Sequence, residues 1–461
     1  MKVTIVPTQE KAVSSARAWP GYRTIWRWHF YAGLIAIPFV LWLATTGAIY
    51  LFRPQIEAWL DRPYNHLDIT GARASAAAQV SAALKAVNGS NLHFYQLPTT
   101  SQSAVQIIVG RGADEFRVYV HPQTASVMRV VNENSRPMTV IFHLHGELLM
   151  GDRGSMIVEL AASWAIVMIA TGVFLWWPRG TKGLGGILYP RLRKGQRVLW
   201  RDLHAVTGIW VSALALFLLL TGLPWASNWG KYLEAIRSLT HTTGNPDWTS
   251  GSAAEAAARL ARDPMDMPGM DMHRGMDAGA TRVYAGIDKI VAAVTPLRLA
   301  WPVLIAPPLA SGGLWTARSD AQNRTLRTSL QLDSAGTIVR REDFGQQQWV
   351  DRWVETGVAA HEGQLFGLAN QLLGLFTAVC LGVLSISALV LWWRRRPAKV
   401  LGAPVYLAPE KPLAYSFWLV LVVFCIYLPL LGGSILAVKA IETLVLRRVP
   451  VTRRWLGLAP T

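Results

Sequence analysis

Histidines 29, 145, 204 and 361 stand at the ends of strongly apolar runs. Burying an ionisable side chain there is costly and calls for a use. The segment 142-FHLHGELLMGDRG-154 places His143, His145 and Glu147 just ahead of one run, and 361-HEGQLFG-367 places His361 ahead of another. His29, in 28-WHFYAGLIAIPFVLWLATTG-47, and His204, in 203-LHAVTGIWVSALALFLLLTG-222, lie about one turn inside the ends of two further runs. The chemistry open to such residues is metal ligation through a neutral ring nitrogen.

The apolar runs are long enough to span a bilayer. They cover about 30–52, 156–177, 205–223, 365–393 and 415–437 in a chain of 461 residues, 52% hydrophobic and only 16% charged. The first is long, aromatic and without a small-residue cleavage site, so it reads as a retained helix. The net charge of +17 is concentrated before the first run, between the second and third, and after the fourth. The long loops between are nearly balanced. That is the positive-inside pattern, and it argues against a nucleic-acid partner. Cys380 and Cys425 both lie inside apolar runs and read as small buried side chains, not a disulfide.

A repeat organises these elements. An offset of 175 residues maps His29 onto His204, Gly33 onto Gly208, Thr46 onto Thr221 and Gly47 onto Gly222. An offset of 216 maps His145 onto His361, Gly151 onto Gly367 and Trp176-Trp177 onto Trp392-Trp393. The 41-residue excess reads as an insertion near 263-DPMDMPGMDMHRGMD-277. Its Met265, Met267, Met270, Met272, His273 and Met276 form an irregular soft-ligand cluster that could bind Cu(I).

The expected fold is therefore a membrane α-helical bundle with two small exported α+β domains, built from two helix–domain–helix units and a C-terminal helical segment. In order these are a basic N-terminus (1–27), a first span (28–52) and a first exported domain (53–141). A histidine segment and second span (142–177), a basic loop (178–201) and a third span (202–223) follow. A second exported domain with the insertion (224–360), a histidine segment and fourth span (361–393), a basic loop (394–414) and the C-terminal segment (415–461) complete the chain. Pro429 and Gly432-Gly433 leave that last segment open between a fifth span and a re-entrant hairpin. Within the loops, 74–87 reads as a helix, 104–110 and 116–130 as strands with a hairpin, and 328–343 as strand–turn–strand.

A pseudo-two-fold repeat would bring equivalent histidines face to face, one pair near each membrane surface. Two imidazoles on opposed helices are what a six-coordinate haem needs, the porphyrin supplying four ligands. From His29 to Gly47 a helix extends roughly 27 Å, so two haems would form a relay through the bilayer. Gly33, Gly47, Gly208 and Gly222 would permit close approach of helices or of a flat macrocycle. His143 has Ala359 as its counterpart and reads as a neighbouring or substrate-side residue, with replacement of His145 as ligand left open. His66, His93, His121 and His241 have no repeat partner and read as surface residues.

The motifs 27-RWHFYAGL-34, 142-FHLHGELLMG-151, 202-DLHAVTG-208 and 361-HEGQLFGLANQLL-373, with the hairpins at 116–130 and 328–343, resemble the PepSY-associated transmembrane family. This family includes iron-regulated inner-membrane proteins and haem-containing ferric-siderophore reductases. The resemblance implies a multi-pass protein of the bacterial inner membrane, its N-terminus cytoplasmic and its large loops periplasmic. It implies two b-type haems held by His29, His145, His204 and His361, passing electrons to a ferric siderophore or other metal chelate to release Fe(II). The electron donor would be a quinol or a cytoplasmic partner, since no nucleotide or flavin fingerprint occurs. The methionine-rich insertion departs from the family pattern and leaves copper open as the metal. A transporter, or a non-enzymatic PepSY-like binding or regulatory module, remains the rival class. No substrate pocket is legible among Arg136, Arg153, Arg318, Arg324 and Arg327.

Overall fold

A computed structural model describes residues 18–112, 114–179, 183–242, 284, 286–308, 312–404 and 412–458. The insertion 263–277, with Met265, Met267, Met270, Met272, His273 and Met276, lies outside the described residues. The chain divides into two compact units. One comprises Met1–Val40, Leu160–Ala213 and Leu381–Thr461, the other Leu41–Glu159 and Leu214–Cys380.

The helices are α1 (Tyr22–Tyr50), α2 (Arg53–Leu60), α3 (Ala76–Ala86), α4 (Pro137–Glu147), α5 (Asp152–Trp176), α6 (Gln196–Gly222) and α7 (Ser227–Leu239). There follow α8 (Ile287–Val294), α9 (Trp349–His361), α10 (Leu368–Arg395), α11 (Tyr415–Tyr427), α12 (Pro429–Ile441) and α13 (Pro450–Leu456). By length and composition five helical stretches could cross a membrane: α1, α5, Gln196–Trp225, α10 and Pro429–Leu446. Their apolar windows are at most 33% buried. Side chains such as Ile35, Phe217, Phe376 and Leu436 point outward, as lipid-facing residues do. The chain is thus a multi-pass membrane protein.

The first unit resolves the C-terminal segment as a hairpin. Leu428 leaves the helical region (φ −122°, ψ 80°) ahead of Pro429, which has no N–H to donate. Ahead of α11, Leu413 bridges Ala18, and at its first turn Ser416 accepts from the Trp19 indole. At the other end Tyr31 donates to the carbonyl of Leu456, and Arg27 to that of Gly457. A straight 415–446 rod would be about 48 Å long, beyond the reach of the ten residues that follow it. Both ends therefore return to the N-terminal end of α1.

In the second unit, strands from both long loops join one sheet. They are β1 (Asn91–Gln96), β2 (Val105–Arg111), β3 (Asp114–Val120), β4 (Val127–Asn132), β5 (Val303–Ala306), β6 (Trp315–Ser319), β7 (Thr328–Leu332) and β8 (Ile338–Asp343). The sheet order is β4-β3-β2-β1-β5-β6-β7-β8, antiparallel throughout. The two four-stranded sets meet where Tyr95 pairs with Ile305 and Gln96 with Leu304. Helices α3 and α8 contribute Val80, Ala83, Ile287 and Ile290 to a single core with Ile107, Val118, Ile305 and Leu330. Sharing the core gives each small set the apolar cover it lacks alone. The Ser75 side chain caps α3 by accepting from Ala78 N–H.

Candidate functional site

Each unit contains one pair of facing imidazoles. In the first, His29 on α1 faces His204 on α6, their ring centres 6.3 Å apart and their planes crossed at 74°. In the second, His145 lies in the last turn of α4 and His361 ends α9. Their ring centres lie 6.4 Å apart with planes at 80°. The two short helices stop there because the chain turns through left-handed residues, Leu148 and Leu149 after α4 and Gly363 and Gly367 after α9, before the next long helix begins.

The partners of the rings determine which nitrogen is available. Nδ1 of His145 is 2.9 Å from Thr46 Oγ1, Nδ1 of His361 is 3.0 Å from Thr221 Oγ1, and Nδ1 of His29 is 3.0 Å from Thr171 Oγ1. Each of these hydroxyls already donates back to its own helix, to the carbonyls of Trp42, Phe217 and Val167. With its hydrogen committed, the hydroxyl oxygen accepts, and the histidine N–H donates. His204 Nδ1 meets the Leu384 carbonyl at 3.2 Å, an oxygen that can only accept. All four rings thus carry hydrogen on Nδ1 and keep the Nε2 lone pair free, the tautomer a metal ligand requires. Burial holds the His145 imidazole down to a pKa of about 4, with the His361 ring adding to the effect. Burial likewise lowers His361, against the opposing pull of the Glu362 carboxylate.

Close approach is built into the helices that the rings rest on. A Cβ at Gly47 would come within 3.1 Å of His145 Cε1, and one at Gly172 within 3.2 Å of His29 Cε1. Gly222 meets His361 less tightly. Gly33 and Gly208 instead pack at ordinary distance on Met168 and Leu384.

The spacing has a chemical meaning. An imidazole bonds a metal at about 2.0 Å through a nitrogen roughly 1.1 Å from its ring centre, so two on opposite sides of one metal have centres about 6.2 Å apart. Among the described residues no cluster of three or more His, Cys, Asp or Glu could hold a metal ion. A metal held by either pair would take its remaining ligands from the group that carries it. The donor set therefore fits a planar macrocycle with two open axial positions.

Other expected residues fall elsewhere. His143 is not opposed to His361; its Nδ1 lies 2.9 Å from the Glu147 carboxylate one turn along α4. His66 and His241 are exposed, and His121 accepts from Gln123 N–H and Thr124 N–H in the β3–β4 turn. His93 corrects the surface expectation: it is 1% exposed on β1, 2.6 Å from Glu115. Strand pairing turns its ring inward, which no local pattern announced. Arg136, Arg324 and Arg327 are buried against Glu133, Glu362 and Asp320, Arg318 lies over the Phe94 ring, and Arg153 is exposed. Cys380 and Cys425 are free thiols. Thr46, Thr171 and Thr221 are the functional residues that composition did not flag. Each stands in a Thr-Gly dipeptide, but so do Thr70, Thr207, Thr243 and Thr356, so that dipeptide alone does not single them out.

No curated protein matches the chain. The PepSY-associated TM region matches residues 26–395, a segment that contains all four paired histidines. The chain belongs to the family of the PepSY-associated TM region.

Proposed function

We propose that this protein is a di-haem electron conduit of the bacterial inner membrane that reduces a periplasmic ferric chelate, such as a ferric siderophore, and releases Fe(II). The observation that carries the reading is the pair of two-imidazole sites, each with both Nε2 lone pairs free and, among the described residues, no third His, Cys, Asp or Glu grouped with it. A bound haem supplies a buried one-electron iron couple.

The protein's part is binding and orientation. His29 and His204 hold one group, His145 and His361 the other. Thr171, the Leu384 carbonyl, Thr46 and Thr221 lock the ring tautomers and raise ligand basicity. A haem held by two imidazoles would keep no open coordination position, which would favour outer-sphere electron transfer over oxygen chemistry. Each chelated Fe(III) takes one electron and becomes the weakly held Fe(II). The donor is a quinol or a cytoplasmic partner, on the side of the basic loops.

A reduced-minus-oxidised visible spectrum of the purified full chain, with haem quantified per polypeptide, tests the reading. The expected result is b-type bands at two haems per chain, with reoxidation on adding a ferric siderophore and Fe(II) appearing in a ferrous trap. A protein with no bound haem would end this reading.

A further inference from the structure

A second feature of the first unit lies beside the His29–His204 pair and has no part in holding the rings. Arg197, Trp200, Leu391, Arg394 and Arg395 line a cavity of about 370 Å³. Its walls come from the two helices that meet at His204, since the ring donates to Leu384 on α10. Arg197 and Trp200 precede His204 by seven and four residues, and Leu391 follows Leu384 by seven. Those spacings keep them on the same helix faces as the site, Trp200 about one turn (roughly 6 Å) and Arg197 and Leu391 about two turns (roughly 10 Å) away, with Arg394 and Arg395 about three turns (roughly 16 Å) beyond Leu384.

The cavity is cationic without compensation from its walls. Among the described residues no carboxylate lines it. Asp202, the nearest acid in sequence to Arg197 and Trp200, is fully buried and held by Arg191 at 2.8 Å and Arg201 at 3.0 Å. Arg395 is close enough to Arg197 and Arg201 to be repelled by both. A basic segment that serves only topology needs no shared recess between its arginines. Three guanidinium groups around an indole and a leucine make a receptor for an anion with an apolar stem, where charge-assisted and bidentate hydrogen bonds become available.

We propose that this cavity receives the carboxylates on the edge of the tetrapyrrole held by His29 and His204, with Arg197, Arg394 and Arg395 as positioning residues. This rests on the haem reading above. Trp200 and Leu391 cover the alkyl stems, and the arginines pair with the carboxylates that would otherwise be stranded at the membrane boundary. The same chemistry would accept the phosphate of an anionic phospholipid, and the test separates the two sources.

The full chain carrying His145→Ala and His361→Ala, so that the His29–His204 pair alone binds, is stripped and titrated with iron protoporphyrin IX or its dimethyl ester. The ester differs only in having no free carboxylates. With the arginines intact, the acid should bind about ten-fold or more tightly than the ester, the scale of a charge-assisted hydrogen bond. Adding Arg197→Gln, Arg394→Gln and Arg395→Gln should bring the ratio close to one. A ratio taken within one variant is independent of how much of that variant folds, and Arg395→Gln alone should give an intermediate value. An unchanged preference for the acid in the triple variant would overturn the proposal. So would loss of co-purifying phosphatidylglycerol or cardiolipin with the preference intact, which would assign the cavity to lipid. If neither porphyrin binds before the arginines are changed, in a protein that keeps its helical circular dichroism, the haem reading itself fails.

Discussion

Thr46 Oγ1 stands 2.9 Å from His145 Nδ1 while donating its own hydrogen to the Trp42 carbonyl. One hydroxyl thereby sets the tautomer of a ring on another helix. Thr46→Val keeps the shape, removes the acceptor and leaves a buried N–H unpaired. Haem affinity at that pair should fall about 10- to 100-fold, and Thr46→Ser should restore it. Titration of the stripped protein with haem measures both.

His143 and His145 should separate cleanly. On the proposed reading His145→Ala takes away one of the two imidazoles that would hold a haem and should halve the haem content. His143→Ala removes only a partner of Glu147 and should leave the spectrum unchanged. Loss of haem from the His143 variant alone would reverse the assignment.

Two glycines on α1 should respond in opposite ways. A Cβ at Gly47 would press on His145 at 3.1 Å, whereas one at Gly33 would meet Met168 Cε at 3.8 Å. Gly47→Ala should displace the imidazole and lower haem retention. Gly33→Ala should be tolerated or stabilising by up to about 1 kcal/mol, the helix preference of alanine over glycine. Haem content and melting temperature check the contrast.

The sheet should lose stability in acid through Glu133. Burial alone would raise this carboxyl, but Arg117 at 2.8 Å and Arg136 at 3.0 Å outweigh it and bring it to about 2. A folded pKa below the unfolded value means that the unfolded chain binds more protons as pH falls. The stabilisation is complete above the model-peptide value of 4.5 and fades as pH drops from there towards 2. Glu133→Gln should be less stable at neutral pH and show a shallower acid dependence, followed by thermal melts between pH 2 and 7.

Arg27 and Tyr31 bind the chain at Gly457 and Leu456, and Ala18 bridges Leu413. Reporters fused to the two termini should therefore lie on the same side of the membrane. Reporters on opposite sides would rule out the hairpin of α11 and α12.

Much of this was legible in the chain because it is written in local periodicity. Four of the five apolar runs became single long helices, the helix expected at 74–87 runs Ala76–Ala86, and the hairpins at 116–130 and 328–343 formed. Hydrophobic spacing and turn residues act over a few neighbours, so they can be read without a partner. The break at Leu428 was half legible: Pro429 announced a disruption but not its direction.

From residue order alone came the four long apolar helices, the basic loops and the matched positions of His29, His145, His204 and His361, since each depends on side-chain type and spacing. Folding in three dimensions decided that His145 and not His143 meets His361, that Thr46, Thr171 and Thr221 orient the rings, that His93 turns inward, and that both loops build one sheet. The contacts around the four paired rings join residues 99 to 216 positions apart, such as Thr46 with His145 or His145 with His361. Contacts at that range are selected by packing and by the geometry of hydrogen bonds, which no local pattern encodes.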